Sequence, residues 1–186
     1  MAADYANIIL TGLQHVDGNE NPSGIQEDVF IMIVSQMATI AEPAASPTAP
    51  EAMLTIAGPH VMATGKSPFA VYSMFEKSDF ESPMAGEVYS KIFMPDVTCF
   101  IPQPTPENAG NFSVLKNSRL IVLIKRTQGG AGFTQIGSKH LSAKIKDGSV
   151  KYGKGPTGEP GITFNIEAPS IHPFYYYTGI LPVTGV

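Results

Sequence analysis

Apolar residues along this chain fall in short runs separated by turn formers, a spacing that predicts strands and not long helices. Asp28-Val-Phe-Ile-Met-Ile-Val-Ser35 is a continuous apolar run, the pattern of a strand buried on both faces. Strand-like segments recur at Met53–Ala57, Pro68–Glu76 and Val88–Met94. Within the second of these, Phe69, Val71, Ser73 and Phe75 share one face against Ala70, Tyr72 and Met74. Arg119-Leu-Ile-Val-Leu-Ile-Lys-Arg126 reads as a strand, Gln128-Gly-Gly-Ala-Gly132 as a turn and Phe133–Ile136 as the return strand. In His140–Lys146 the residues Leu141, Ala143 and Ile145 alternate with Ser142, Lys144 and Lys146. Asp147-Gly148 then predicts a two-residue hairpin turn, with Val150 and Tyr152 on the return strand. Gly161–Glu167 and Phe174–Ile180 supply two more strands.

Between these runs lie two breaker-rich stretches. Ala41–Pro50 is rich in Ala, Pro, Ser and Thr, and Pro43, Pro47 and Pro50 exclude a helix there. It predicts a loop or extended arm around residues 36–52, either disordered or ordered by a partner. Pro95–Asn111 contains Pro102, Pro104 and Pro106, and a short helix is expected over Glu107–Lys116 despite Gly110. The expected fold is all-β, or mainly β with one short helix: a β-sandwich or open barrel with long loops, as a single domain over residues 1–186.

Composition sharpens this picture. Only 15% of residues are charged, while 18 Gly and 16 Pro supply many turns, which fits short strands whose apolar surface is covered by neighbours. The charge is also segregated. Residues 1–118 hold 13 Asp/Glu against 4 Lys/Arg, and residues 119–186 hold 3 against 8. The basic set is Arg119, Lys125, Arg126, Lys139, Lys144, Lys146, Lys151 and Lys154. A chain with an anionic and a cationic part is complementary to a second copy of itself, and head-to-tail contacts of that kind propagate into rings or filaments. The plainer reading is two solvated surfaces, and the charges alone leave both open.

Candidate chemistry is sparse. Gly65-Lys66-Ser67 lacks the upstream glycine of a phosphate loop, since position 60 is His, and Pro68 begins a strand where a helix would be needed. Gly155, Gly158 and Gly161 make two triplets, too few for a triple helix, so Gly153–Gly161 reads as a flexible basic loop. No Gly-x-Ser-x-Gly elbow is present. His15, His60, His140 and His172 lie far apart, and the single Cys99 excludes an internal disulfide. Glu76, Asp79 and Glu81 have no calcium-loop spacing. We therefore expect no enzyme activity, no cofactor and no metal. The N-terminus lacks a signal-peptide pattern and no run approaches the roughly 18 apolar residues of a membrane span, so a soluble chain without membrane insertion is expected. Tyr175, Tyr176 and Tyr177 follow Phe174 and put aromatics on both faces of a strand. A core strand, a subunit contact and a stacking platform for single-stranded nucleic acid all remain open for them, though no basic residue is interleaved as the last would need.

Leu115–Lys125, Phe133–Ser138, Leu141–Ile145 and Tyr176–Ile180 carry a resemblance to virion proteins of Bacteroidetes-infecting phages and prophages, over roughly residues 58–182. Within that group the chain is similar to major tail tube proteins. The resemblance implies β-sandwich subunits joined in hexameric rings that stack into a tube, a conduit for DNA ejection. It implies assembly in the host cytoplasm, other tail or head–tail proteins as partners, and genomic DNA passing without specific binding. The Ala41–Pro50 insert and the Pro95–Gly110 segment depart from a minimal tube subunit, leaving capsid decoration or a head–tail adaptor as alternatives. A carbohydrate- or host-binding β-sandwich, with Tyr175–Tyr177 as platform, is the alternative from another class. On the tube reading Arg119, Lys125, Arg126, Lys144, Lys146, Lys151, Lys154, Tyr175, Tyr176 and Tyr177 are the candidate inter-subunit contacts. Glu76, Asp79, Glu81 and Glu87 are the candidate carboxylates of an acidic lumen.

Overall fold

Continuous apolar runs need cover on two sides, and the fold supplies it. The structure is a computed structural model that describes residues 8–10, 12, 13 and 17–182; His15 and the two ends of the expected domain lie outside the described residues. The first strands are β1 (Asp28–Ile33), β2 (Met37–Thr39), β3 (Thr55–Ile56), β4 (Val61–Met62) and β5 (Phe69–Tyr72). They are followed by β6 (Asp79–Glu81), β7 (Met84–Ala85), β8 (Ile92–Phe93), β9 (Asp96–Ile101) and a helix, α1 (Pro106–Leu115). The chain continues through β10 (Leu120–Ile124), β11 (Phe133–Ile136), β12 (Lys144–Lys151), β13 (Gly161–Glu167) and β14 (Tyr175–Tyr177). The protein is mainly β, as expected.

Two sheets make the body. One has six strands in the order β3-β14-β11-β10-β1-β5, antiparallel except for the β3–β14 pair; the other is antiparallel, in the order β12-β13-β9-β6. Val29, Ile31, Leu120, Val122 and Ile124 of the larger sheet pack against Val97, Cys99, Ile162, Phe164 and Ile166 of the smaller. All five residues of β10 are buried, each stabilising the fold by about 2 kcal/mol relative to exposure. On the reverse face, Met32, Ile121, Leu123, Phe133, Tyr175 and Tyr177 meet Ile56 and Met62, with Met37, Ile40 and Ala41 beside them. The chain between β1 and β5 thus folds back over its own sheet. Residues 41–50 have no helix or strand, and their flank at Ile40 and Ala41 is bound by this domain's core.

A buried polar clamp fixes that cover. His60 stacks on Tyr177 with ring centroids 4.5 Å apart and 6° between planes. Its Nδ1 accepts from the Ala41 N–H at 3.1 Å, which leaves the ring proton on Nε2, 2.8 Å from Gln135 Oε1. Gln135 Nε2 donates onward to Gly137 O, the Tyr177 hydroxyl accepts from His60 N and donates to Ile180 O. Burial pushes the His60 pKa down, so the ring is neutral at pH 7.

Five local expectations are corrected. Asp147-Gly148 is not a turn: β12 runs through it, with Asp147 opposite Asn165, Gly148 opposite Phe164 and a bulge between Ile145 and Asp147. Gly148 is there for space, since a Cβ would lie 2.6 Å from Phe112 Cζ. Val88–Met94 is not one strand but the tip and return of a hairpin. Gly86 (φ +105°) turns the chain, and Ser90 N–H donates to Glu87 O. Pro95–Asn111 hides β9, a six-residue strand between β13 and β6, because its prolines bracket the strand and do not interrupt it. The strand expected over Phe174–Ile180 holds only for Tyr175–Tyr177, and that over Met53–Ala57 only for Thr55–Ile56. The helix forms as expected, with Thr105 Oγ1 accepting from Asn108 N–H and Pro106 in its first turn. Phe112 and Leu115 hold it to the core.

Candidate functional site

The smaller sheet gathers charges that the sequence spreads over 80 positions. Its register sets Lys144, Glu167, Asp96 and Glu81 side by side across all four strands. The bulge swings Lys146 into the same row, with Nζ 2.6 Å from Glu167 and 3.6 Å from Asp96. Hydrogen bonding to Glu167 raises the Lys146 pKa, while burial raises that of Asp96 more than Lys146 lowers it. Two residues along, Asp147, Asn165, Thr98 and Asp79 form a second row. In it Asn165 Nδ2 donates to Asp147 Oδ1 and Thr98 Oγ1 donates to Asn165 Oδ1, each at 2.8 Å.

The two outer strands of this sheet carry opposite charge. Among the described residues β12, with Lys144, Lys146 and Lys151 exposed against one exposed acid, Asp147, pairs only with β13, and β6, with Asp79 and Glu81 exposed, pairs only with β9. Three inter-strand spacings, about 14 Å, separate them. Neither outward edge has a strand partner among the described residues, which is the setting of strand addition, although on β6 the Phe80 N–H donates to Asp79 Oδ1 at 2.8 Å.

The remaining basic residues do not form one patch. Arg119, His140, Lys144 and Lys146 line a groove of about 630 Å³ beside Glu167, and Arg119 Nη2 donates to the Lys139 carbonyl. His140 lies 3.5 Å from Glu42. Lys125 and Arg126 sit at the far end of β10, roughly 20 Å from Arg119 by strand rise. There Lys125 lies over the Phe133 ring and Arg126 donates to Asn21 Oδ1. Lys151 ends β12, opposite Gly161, and Lys154 lies in the exposed turn between β12 and β13.

The tyrosines divide as strand alternation requires. Tyr175 and Tyr177 are buried in this chain's own core, while Tyr176 is 39% exposed. They make no three-ring platform. Tyr176 lines a groove of about 480 Å³ with Phe174, Leu54, Thr55, Glu51, Thr134 and Arg126. Of the acidic set, Asp79 and Glu81 lie on the β6 edge and Glu87 at the hairpin tip. Glu76 lies near Tyr72 with Glu27 and Asp28; the Tyr72 hydroxyl donates to Glu27, which holds the phenol above its ordinary pKa.

Asp96, Glu167, Gln135 and the pairing of His60 with Gln135 and Tyr177 were not singled out from sequence. Their partners are 21 to 117 positions away, and no local spacing marks them. Among the described residues no group of three or more His, Cys, Asp or Glu is placed to hold a metal ion, and no helix is long and apolar enough to cross a membrane. No family model, curated protein or solved structure matches the chain.

Proposed function

We propose that this chain is a structural virion protein whose copies join edge to edge through the four-stranded sheet, closing into rings that stack as a phage tail tube and conduct DNA. The observation that supports this reading is the opposite charge of the two free edges, Lys144, Lys146 and Lys151 on β12 against Asp79 and Glu81 on β6. Edge lysines and a bulge ordinarily guard a sheet against pairing. Here the guard is selective. Two β12 edges repel each other and so do two β6 edges, which leaves β12 against β6 as the favoured pairing. That contact is head-to-tail, and a head-to-tail contact closes into a ring when its rotation permits. Across the new seam a β12 lysine would follow Glu81, continuing the charged row from subunit to subunit.

On this reading Asp79 and Glu81 belong to the seam, and the Glu27, Asp28 and Glu76 cluster is left to face a bore that repels DNA. Assembly takes place in the host cytoplasm, and the hexameric count rests on the resemblance to tail tube proteins. In the three-residue β6, Asp79 and Glu81 pair inward with β9, so the backbone groups of Phe80 face outward. The strand offers at most about two backbone hydrogen bonds to a neighbour, the Phe80 N–H leaving Asp79 Oδ1 to make one of them. At a net ~1 kcal/mol each they fall well short of the ~8 kcal/mol of a micromolar complex, so further contacts between copies are required.

Sedimentation velocity and negative-stain electron microscopy at rising concentration test the reading. Rings or tubes with a central channel are expected, and a chain that stays monomeric at several hundred micromolar refutes it. Charge reversal isolates the edges. The variants Lys144→Glu/Lys151→Glu and Asp79→Lys/Glu81→Lys should each fail to assemble alone and should co-assemble when mixed. Two variants that each assemble as wild type would rule out the edges as the seam.

A further inference from the structure

The hairpin β7–β8 projects apolar side chains that no described residue covers. Met84 is 62% exposed, Val88 72% and Tyr89 fully exposed. Its tip is a turn closed by Ser90 N–H donating to Glu87 O, and Tyr89 occupies the position with positive φ (+69°). Glycine or asparagine is the economical choice there; a tyrosine is strained, and among the described residues none covers it in return. The base of the hairpin is held firmly, by two backbone hydrogen bonds between Phe93 and Ser170 and by Met94 N–H donating to Pro83 O. The tip is therefore presented from the body of the domain.

The groove at Tyr176 has the complementary make-up. Leu54, Phe174 and Tyr176 provide apolar and aromatic walls, Arg126 provides a cation, and Glu51 and Thr134 provide acceptors. Gly132 forms part of the wall, where a Cβ would lie 2.5 Å from the Tyr176 ring. We infer that this groove receives the hairpin tip of a second copy of this chain, with Tyr89 and Val88 against Tyr176, Phe174 and Leu54 and with Glu87 paired to Arg126. In this structure no hairpin residue lines the groove and Tyr89 is fully exposed, so the docking is one between copies. The inference rests on the self-assembly reading and supplies the additional contact that the short β6 edge requires.

Three variants of the full chain test it by sedimentation velocity. Tyr89→Gly should keep or raise the thermal midpoint, because it relieves the strained turn, while weakening association at least about tenfold, as loss of a buried aromatic anchor does. Glu87→Lys and Arg126→Glu should each weaken association, and the double variant Glu87→Lys/Arg126→Glu should recover most of it. Single variants that associate as wild type, or a double variant that recovers nothing, would overturn the docking. Loss through Arg126→Glu without loss through Tyr89→Gly or Glu87→Lys would assign the groove to another segment and overturn it as well. Co-assembly of the two edge-reversed variants reports on the sheet edges separately, so the hairpin docking can fail while the ring reading stands. A monomeric wild type sinks both.

Discussion

Replacing His60 by alanine tests the account of how the large sheet is covered. The substitution leaves Gln135 Oε1 and the Ala41 N–H without their partner and removes the ring stacked on Tyr177. Each orphaned group costs about 1–3 kcal/mol in a buried setting, and the lost stack about 0.5–1.5 kcal/mol. The sum, roughly 2.5–7.5 kcal/mol, is a large part of the 5–15 kcal/mol expected of a whole domain. Urea unfolding at pH 7.5 should therefore show a midpoint lower by about 2 M, at a slope of about 1–3 kcal/mol per M. The pH dependence has a definite sign. Burial lowers the His60 pKa, so its contribution is complete above the unfolded value of about 6.5 and is lost as pH falls through the folded value, where a proton on Nδ1 displaces the Ala41 N–H. His172, also lowered by burial, adds a loss of the same sign. His60→Gln should flatten part of the decline below pH 6.5, and adding His172→Gln should flatten more. A destabilisation under about 1 kcal/mol for His60→Ala, or an unchanged pH slope for His60→Gln, would refute the clamp.

Cys99 is fully buried and its thiol is pushed up to about 12 by burial, so iodoacetamide should label it only on the unfolding timescale; fast labelling of native protein by mass spectrometry would contradict the packed inter-sheet core. Asp96→Asn removes a carboxylate whose pKa burial raises, meaning that its charge is disfavoured by folding at pH 7. The urea midpoint should stay level or rise at pH 7, with the difference from wild type shrinking as pH falls through the carboxylate range. A loss above about 1 kcal/mol would mean that the attraction to Lys146 outweighs desolvation. Gly148→Ala drives a Cβ to 2.6 Å from Phe112 and 3.0 Å from Phe164, which should cost about 1–3 kcal/mol and loosen the helix. An unchanged thermal midpoint would show that Phe112 yields freely.

The strands that were legible in the sequence are those whose burial is absolute. Val29–Met32 and Leu120–Ile124 are apolar at successive positions because both faces of the large sheet are covered, and no other placement removes so much surface from water. The short helix was legible over Glu107–Lys116, but its start was not: Pro106 read as a breaker, whereas it opens the helix behind the Thr105 cap. Asp147-Gly148 misled because a turn signal is a statement about local backbone cost. Pairing with Asn165 and Phe164 and the space needed by Phe112 lie outside its reach. Val88-Tyr89 misled in the opposite direction, as residues suited to a strand hold a strained turn.

For the candidate site, the excess of acid before residue 119 and of base after it was visible without a fold. Mainly β architecture, a shared core and a polar or basic character at each position likewise follow from composition and periodicity, because they depend on which residues water excludes. Strand order is different. That β12 and β6 are the two edges of one sheet, that Arg119 and Arg126 stand at opposite ends of a strand, and that Tyr175 and Tyr177 turn inward while Tyr176 turns out all depend on partners remote in sequence. Periodicity says that a strand has two faces and two edges. Only the packing of the whole chain decides which of them meets the core and which stays free for another molecule.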